Sequence, residues 1–199
     1  MHAEGIQKLA ASCLSPHDAI SLGIAALTPA QTEKLAGVKR SSLSLSYFDI
    51  DGKPLRHFWR VRFVGPSPSG AFGEPLNADR YRQSPNTIPA AYLPRTLPWI
   101  EISADTDRAI VITEGELKAA CAAKYGFACI GLGGVWMFRH KQTRFLPELE
   151  AINWSKRNTF IAFDSEVNDG TRPDLLPAQI LLANELRKRG ALVHIAVLP

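Results

Sequence analysis

From residue 109 onward, short apolar runs alternate with longer stretches whose apolar positions recur every three or four residues. The apolar runs are Ala109-Ile110-Val111-Ile112-Thr113, Ala128-Cys129-Ile130-Gly131-Leu132, Thr159-Phe160-Ile161-Ala162-Phe163 and Leu192 to Leu198. Each predicts a strand, and the first reads as a buried parallel one because it never alternates with polar residues. Glu116 to Lys124 predicts a helix ended by Gly126, and Leu176 to Arg189 an amphipathic helix ended by Gly190. The interval before the third strand has room for a short helix. Strand–helix alternation of this kind implies a mainly parallel sheet flanked by helices, an α/β fold.

The first 104 residues have a different texture. Ser15-Pro16-His17-Asp18 reads as a helix start, as does Thr28-Pro29, which leads into Ala30 to Ala36 and a stop at Gly37. Ser44 to Ile50 predicts a strand, Asp51-Gly52 a hairpin turn and Leu55 to Val64 the returning strand. On that strand Phe58, Arg60, Arg62 and Val64 share one face, and Trp59, Val61 and Phe63 the other. Residues 65–73 form a Pro/Ser/Gly loop, and Pro85 to Pro98 is proline-punctuated and extended. The expected division is a smaller α+β subdomain over residues 1–104 and the α/β domain over 105–199.

Hydrophobic residues make up 46% of the chain, which suits a packed globular protein. No apolar run approaches the roughly 18 residues that span a bilayer, so no membrane partner is expected. The first residues carry no basic segment followed by an apolar core, so no signal peptide is expected. Cys13, Cys121 and Cys129 form no zinc-binding spacing, and a reducing cytoplasm is the expected compartment.

The net charge of +4 is mild, but its placement changes the picture. Between Lys39 and Arg95 there are nine basic residues against four acidic ones, interleaved with Tyr47, Phe48, Phe58, Trp59, Phe63, Tyr81 and Tyr92. Arginines with aromatics are what a groove needs to hold phosphates and stack bases. Arg56, Arg60, Arg62, Arg80 and Arg82 are therefore candidate contacts for a single-stranded DNA template. A twisted sheet with a solvated basic face over aromatic core positions explains the same pattern.

Two of the predicted strands end in carboxylates. The first runs into Glu114-Gly115-Glu116 and the third into Asp164-Ser165-Glu166. Ligands of open parallel sheets sit beyond the carboxyl ends of the strands. If the two strands are neighbours, Glu114, Asp164 and Glu166 converge on one crevice, and Asp169 is placed to join them. Carboxylates about 4 Å apart repel by roughly 4 kcal/mol at an effective dielectric of about 20, unless a cation lies between them. Oxygen-only ligands suit Mg²⁺ or Mn²⁺. The alternative is a set of acidic helix N-caps.

Thr113-Glu114-Gly115-Glu116 and Phe163-Asp164-Ser165-Glu166, each after an apolar strand, resemble the Toprim domain of DnaG-type primases, topoisomerases and some nucleases. Ile130-Gly131-Leu132-Gly133-Gly134 sits where that family has its second strand and glycine turn. Tyr47 to Gly52 and Arg80 to Pro85 are similar to segments that precede the Toprim fold in phage and plasmid primases. The resemblance implies that Glu114 does acid–base or metal work and that Asp164 and Glu166 are the metal pair. The family has Asp-x-Asp where this chain has Asp-x-Glu, and an acidic residue where this chain has Lys118, which is placed to hold a phosphate or pair with Glu114.

The implied activity is Mg²⁺-dependent, primase-like nucleotidyl transfer on single-stranded DNA, in replication of a phage, plasmid or other mobile element. Nucleoside triphosphates are then substrates, and a replicative helicase or polymerase of the same element is an expected partner. A catalytically weak module that binds single-stranded DNA or the replisome is the alternative, and a Toprim nuclease is a third. The sequence has no Walker-type phosphate loop, no HExxH and no GxSxG.

Overall fold

The computed structural model of the chain describes residues 2–65, 79–140, 145–164 and 173–196. It divides into two compact units: residues 1–46 with 55–87, and residues 47–54 with 88–199. The stretches 47–54 and 88–104, predicted as part of the N-terminal subdomain, thus belong to the C-terminal unit.

The first unit is built on an antiparallel sheet in the order β1-β2-β3-β4, comprising Ile24–Leu27, Ser42–Leu45, Arg60–Phe63 and Tyr81–Gln83. Its helices are α1 (Ala3–Ala10), α2 (Pro16–Leu22) and α3 (Pro29–Ala36). The predicted helix starts are capping boxes: Ser15 and Asp18 satisfy each other's backbone N–H, as do Thr28 and Gln31. Ala36, Val61 and Phe63 form a small core with Leu27, Val38 and Trp59 packed against it.

The strand pair predicted across Asp51-Gly52 forms, but not as one continuous hairpin. Strand β2 ends at Leu45 and β3 begins at Arg60, with Leu45 opposite Arg60. Between them the chain makes a local turn, closed by Asp49 N–H on the Lys53 carbonyl at 2.9 Å and Gly52 N–H on the Asp49 carbonyl at 3.0 Å.

The second unit is a four-stranded, wholly parallel sheet in the order β6-β5-β7-β8. The strands are Ile110–Glu114 (β5), Cys129–Leu132 (β6), Asn158–Ala162 (β7) and Leu192–Ile195 (β8). The helices are α4 (Trp99–Ala104), α5 (Glu116–Lys124), α6 (Pro147–Glu150) and α7 (Leu175–Lys188). Residues 197–198 of the last predicted strand lie outside the described residues.

One face of this sheet holds the main core: Ile110, Ile112, Ile130, Leu132 and Ile161 against Leu175, Ala178, Leu182 and Leu186 of α7, with α4 and α6 alongside. The other face is covered by α5 over β5 and β6. There a side chain at Gly131 would meet the Ala119 Cβ and the Glu116 Cα at 3.1 Å, so only glycine admits the helix this close. Among the described residues no helix covers β7 and β8 on this face, where Asn158, Phe160, Leu192 and His194 are exposed.

Arg157 ties the lower end of the unit together. It is fully buried and donates to the carbonyls of Asn153, Arg108, Ile102 and Ser103 at 2.8–3.0 Å. Two of those carbonyls belong to the last turn of α4, where helices leave acceptors unpaired.

Candidate functional site

The order β6-β5-β7-β8 places a reversal of chain direction across the sheet between β5 and β7. The first crossover goes from β5 outward to β6, and the next returns to β7 on the opposite flank. Ligands of such sheets bind in the crevice beyond the strand ends at this point. Thr113 pairs with Ala162, so Glu114 closes β5 beside the end of β7, and Asp164 follows two residues beyond Ala162. Both carboxylates therefore stand at the reversal point.

Local geometry shapes this end. Gly115 has φ +97°, which turns the chain directly from β5 into the first residue of α5. Lys118, one turn into α5, forms an ion pair with the Asp164 carboxylate, and the two side chains are 50% and 37% exposed. An ion pair this open is screened by water and contributes little to stability. It leaves Asp164 accessible to a competing cation.

Counted along the pleat, Glu114 is in phase with Ile110 and Ile112, and Asp164 with Phe160 and Ala162. The two carboxylates thus approach the strand ends from opposite faces, and a cation shared by both belongs beyond the strand ends. Glu166 and Asp169 lie outside the described residues. Among the described residues no group of three or more His, Cys, Asp or Glu side chains is placed to hold a metal ion.

At the start of α5, next to Glu114 and Gly115, is a buried carboxylate that the sequence did not single out. Glu116 is fully buried at the start of α5 and accepts a 2.6 Å hydrogen bond from the Tyr47 hydroxyl. Tyr47 meets Tyr92 edge-on, with ring centroids 5.4 Å apart. Tyr92 in turn exchanges backbone hydrogen bonds with Gly131 at 2.8 and 3.0 Å, extending the sheet by one bridge. Burial, and then the Glu116 charge, pushes the Tyr92 phenol far up, so it stays protonated. This cluster fixes the first turn of α5, and with it the Glu114-Gly115 corner. Tyr47 lies 69 residues from Glu116 in the sequence, and nothing local to Glu116 distinguishes it from a solvated residue at a helix start.

The candidate arginines of the first unit do not form one row. Arg60 and Arg62 share a face of β3 and flank the Tyr81 ring at 4.6 and 5.0 Å from its centroid. Arg60 is buried and donates to Gln83 at 2.9 Å, while Arg62 is half-buried and hydrogen-bonded to the Tyr81 hydroxyl. Arg82 lies opposite Val61 on the other face and donates to the Ala36 carbonyl at 3.0 Å. Arg56, Arg80 and Arg82 are exposed. Arg60 and Arg62 on one face of β3, Arg82 on the other face of β4, and Arg80 just before β4 thus surround the β3–β4 pair. No helix among the described residues is long and apolar enough to cross a membrane.

Residues 99–199 match the family described as a domain of unknown function (DUF3854). The matched segment holds the parallel sheet, Glu114, Lys118 and Asp164; Tyr47 and Tyr92 come from outside it. No curated protein and no solved structure matches the chain.

Proposed function

We propose that this chain, a member of the DUF3854 family, is a primase-like nucleotidyltransferase acting on single-stranded DNA in the replication of a mobile element. The observation that carries this reading is the arrival of Glu114 and Asp164 on adjacent parallel strands at the point where the chain reverses. The donor set is all oxygen, and the ammonium of Lys118 already sits on Asp164 where a cation is needed. That chemistry fits Mg²⁺ or Mn²⁺. Asp164, Glu166 and Glu114 would hold the ion, with Asp169 in reserve. Bound there, the ion supplies charge neutralisation for a triphosphate and for the transferred phosphoryl group.

The chain's own residues do the rest. Tyr47 and Glu116 hold the Glu114-Gly115 corner rigid. Lys118 is released from Asp164 when a stronger cation competes for it, and then reaches a triphosphate oxygen. Arg56, Arg62, Arg80 and Arg82 guide the template strand by its phosphates. One observation favours the alternative of a non-catalytic binding module: Lys118 by itself balances the Asp164 charge.

The assay is incubation with single-stranded DNA, labelled ribo- or deoxyribonucleoside triphosphates and Mg²⁺ or Mn²⁺, on a gel that resolves extension from cleavage. The proposal expects metal-dependent synthesis that Asp164→Asn abolishes. Shortened DNA without synthesis assigns a nuclease. Neither product, with DNA still bound, assigns the binding module.

A further inference from the structure

We infer that the uncovered face of β7 and β8 is a stacking platform for the unpaired bases of a single-stranded nucleic acid whose backbone leads to the Asp164 crevice. The inference rests on the nucleic-acid reading above and adds a second contact surface to it. Phe160 and His194 pair across the two strands and lie nearly flat on each other, with centroids 4.9 Å apart and planes 22° apart. The imidazole is held in that orientation by Asn158, whose Oδ1 lies 3.1 Å from Nε2. Phe160 is 37% exposed although it sits in the middle of an interior strand of a parallel sheet, where a helix normally covers it. Leu192, beside it on the same face, is 51% exposed.

Position and charge identify the occupant. Asn158, Phe160 and Ala162 mark one side of β7, and Asp164 continues their phase at the strand end. Asp164 follows Phe160 by four residues, two of them past the end of β7, so the two are at most about 13 Å apart along the chain. Neither β7 nor β8 contains a carboxylate, so these two strands place no negative charge on this face. Exposed Lys156 precedes β7 at one end, and Lys118 reaches the other. A partly exposed aromatic pair with a lysine towards each end offers what sequence-tolerant single-strand binding uses: bases stack and phosphates pair with the cations.

The test is fluorescence anisotropy of a labelled oligothymidylate with the full chain, comparing wild type with Phe160→Leu, Phe160→Tyr and His194→Ala. Thermal melting is followed in parallel. Phe160→Leu keeps apolar bulk but loses the ring, and weakens binding about tenfold to a hundredfold, whereas Phe160→Tyr stays within about twofold of wild type. His194→Ala, on the exposed edge strand, weakens binding in the same direction and serves if Phe160→Leu melts early. Wild-type binding that neither Phe160→Leu nor His194→Ala changes overturns the platform alone and leaves nucleotidyl transfer standing. Ring-dependent binding without metal-dependent synthesis supports the platform and removes the transferase. No oligonucleotide binding by wild type overturns both. Sedimentation showing a dimer that Phe160→Leu dissociates, with DNA binding unchanged, assigns the face to a second copy and overturns the platform.

Discussion

At the scale of single residues, buried charge sets how the parallel-sheet unit responds to pH. Glu148 is nearly enclosed and accepts the Ala91 N–H at 3.2 Å. Burial raises its pKa, backbone hydrogen bonds to Ala91 and its own N–H oppose the rise, and Asp49 adds to it. The native state therefore favours the protonated carboxyl. The resulting stability is fully present below the unfolded-state pKa of about 4.3 and is lost as pH rises through the raised native value. Glu148→Gln keeps an acceptor for Ala91 and removes the charge. Its melting temperature exceeds that of wild type at pH 7, and the two curves converge below about pH 4. A deficit of Glu148→Gln at pH 7 that shrinks as pH falls would mean that the carboxylate is held by its hydrogen bonds after all. Glu116 and Arg157 show what the sequence withholds at this scale. Both read locally as solvated charges, and only the arrival of Tyr47, or of the distant carbonyls of Ile102, Ser103 and Arg108, buries them.

At the scale of elements, legibility follows how local the cause is. The capping boxes at Ser15 and Thr28, the apolar runs of β5 to β8, and the glycines that end α3 and α7 are written in adjacent residues, and these elements stand where the pattern puts them. Helix α4 and strands β1 and β4 are short and carry no strong periodicity; tertiary packing selects them. The excursion of 47–54 between β2 and β3 was hidden because its turn chemistry at Asp51-Gly52 also suits a plain hairpin. Strand β3 illustrates the consequence for binding. Its two arginines share a face as alternation requires, yet Arg60 is committed to Gln83 and Tyr81. Arg62→Ala and Arg80→Ala therefore each reduce the salt slope of single-stranded DNA binding by about 0.7, whereas Arg60→Ala mainly lowers the melting temperature. Binding isotherms across a salt series check this, and unchanged slopes in Arg62→Ala and Arg80→Ala place the phosphate contacts elsewhere.

At the scale of the whole molecule, an antiparallel unit and a parallel unit are threaded by a chain that passes between them more than once. The parallel unit supplies the site. Its strand order could not be read from the sequence, because alternating strands and helices fit several orders equally well; the observed order is what makes β5 and β7 neighbours. Glu114 and Asp164 were legible as strand-end carboxylates, whereas their approach from opposite faces and the Lys118 contact depend on pleat phase and on the placement of α5. The proposed function requires the ends of β5 and β7 to bind a divalent cation through Asp164. The most direct test is the melting temperature of wild type and Asp164→Asn, titrated with Mg²⁺ and with Mn²⁺ at constant ionic strength. Wild type is expected to rise by about 5 °C or more when the cation reaches about a hundred times its Kd, and Asp164→Asn to lose most of the rise. No rise in wild type, or an equal rise in Asp164→Asn, would contradict the proposed function.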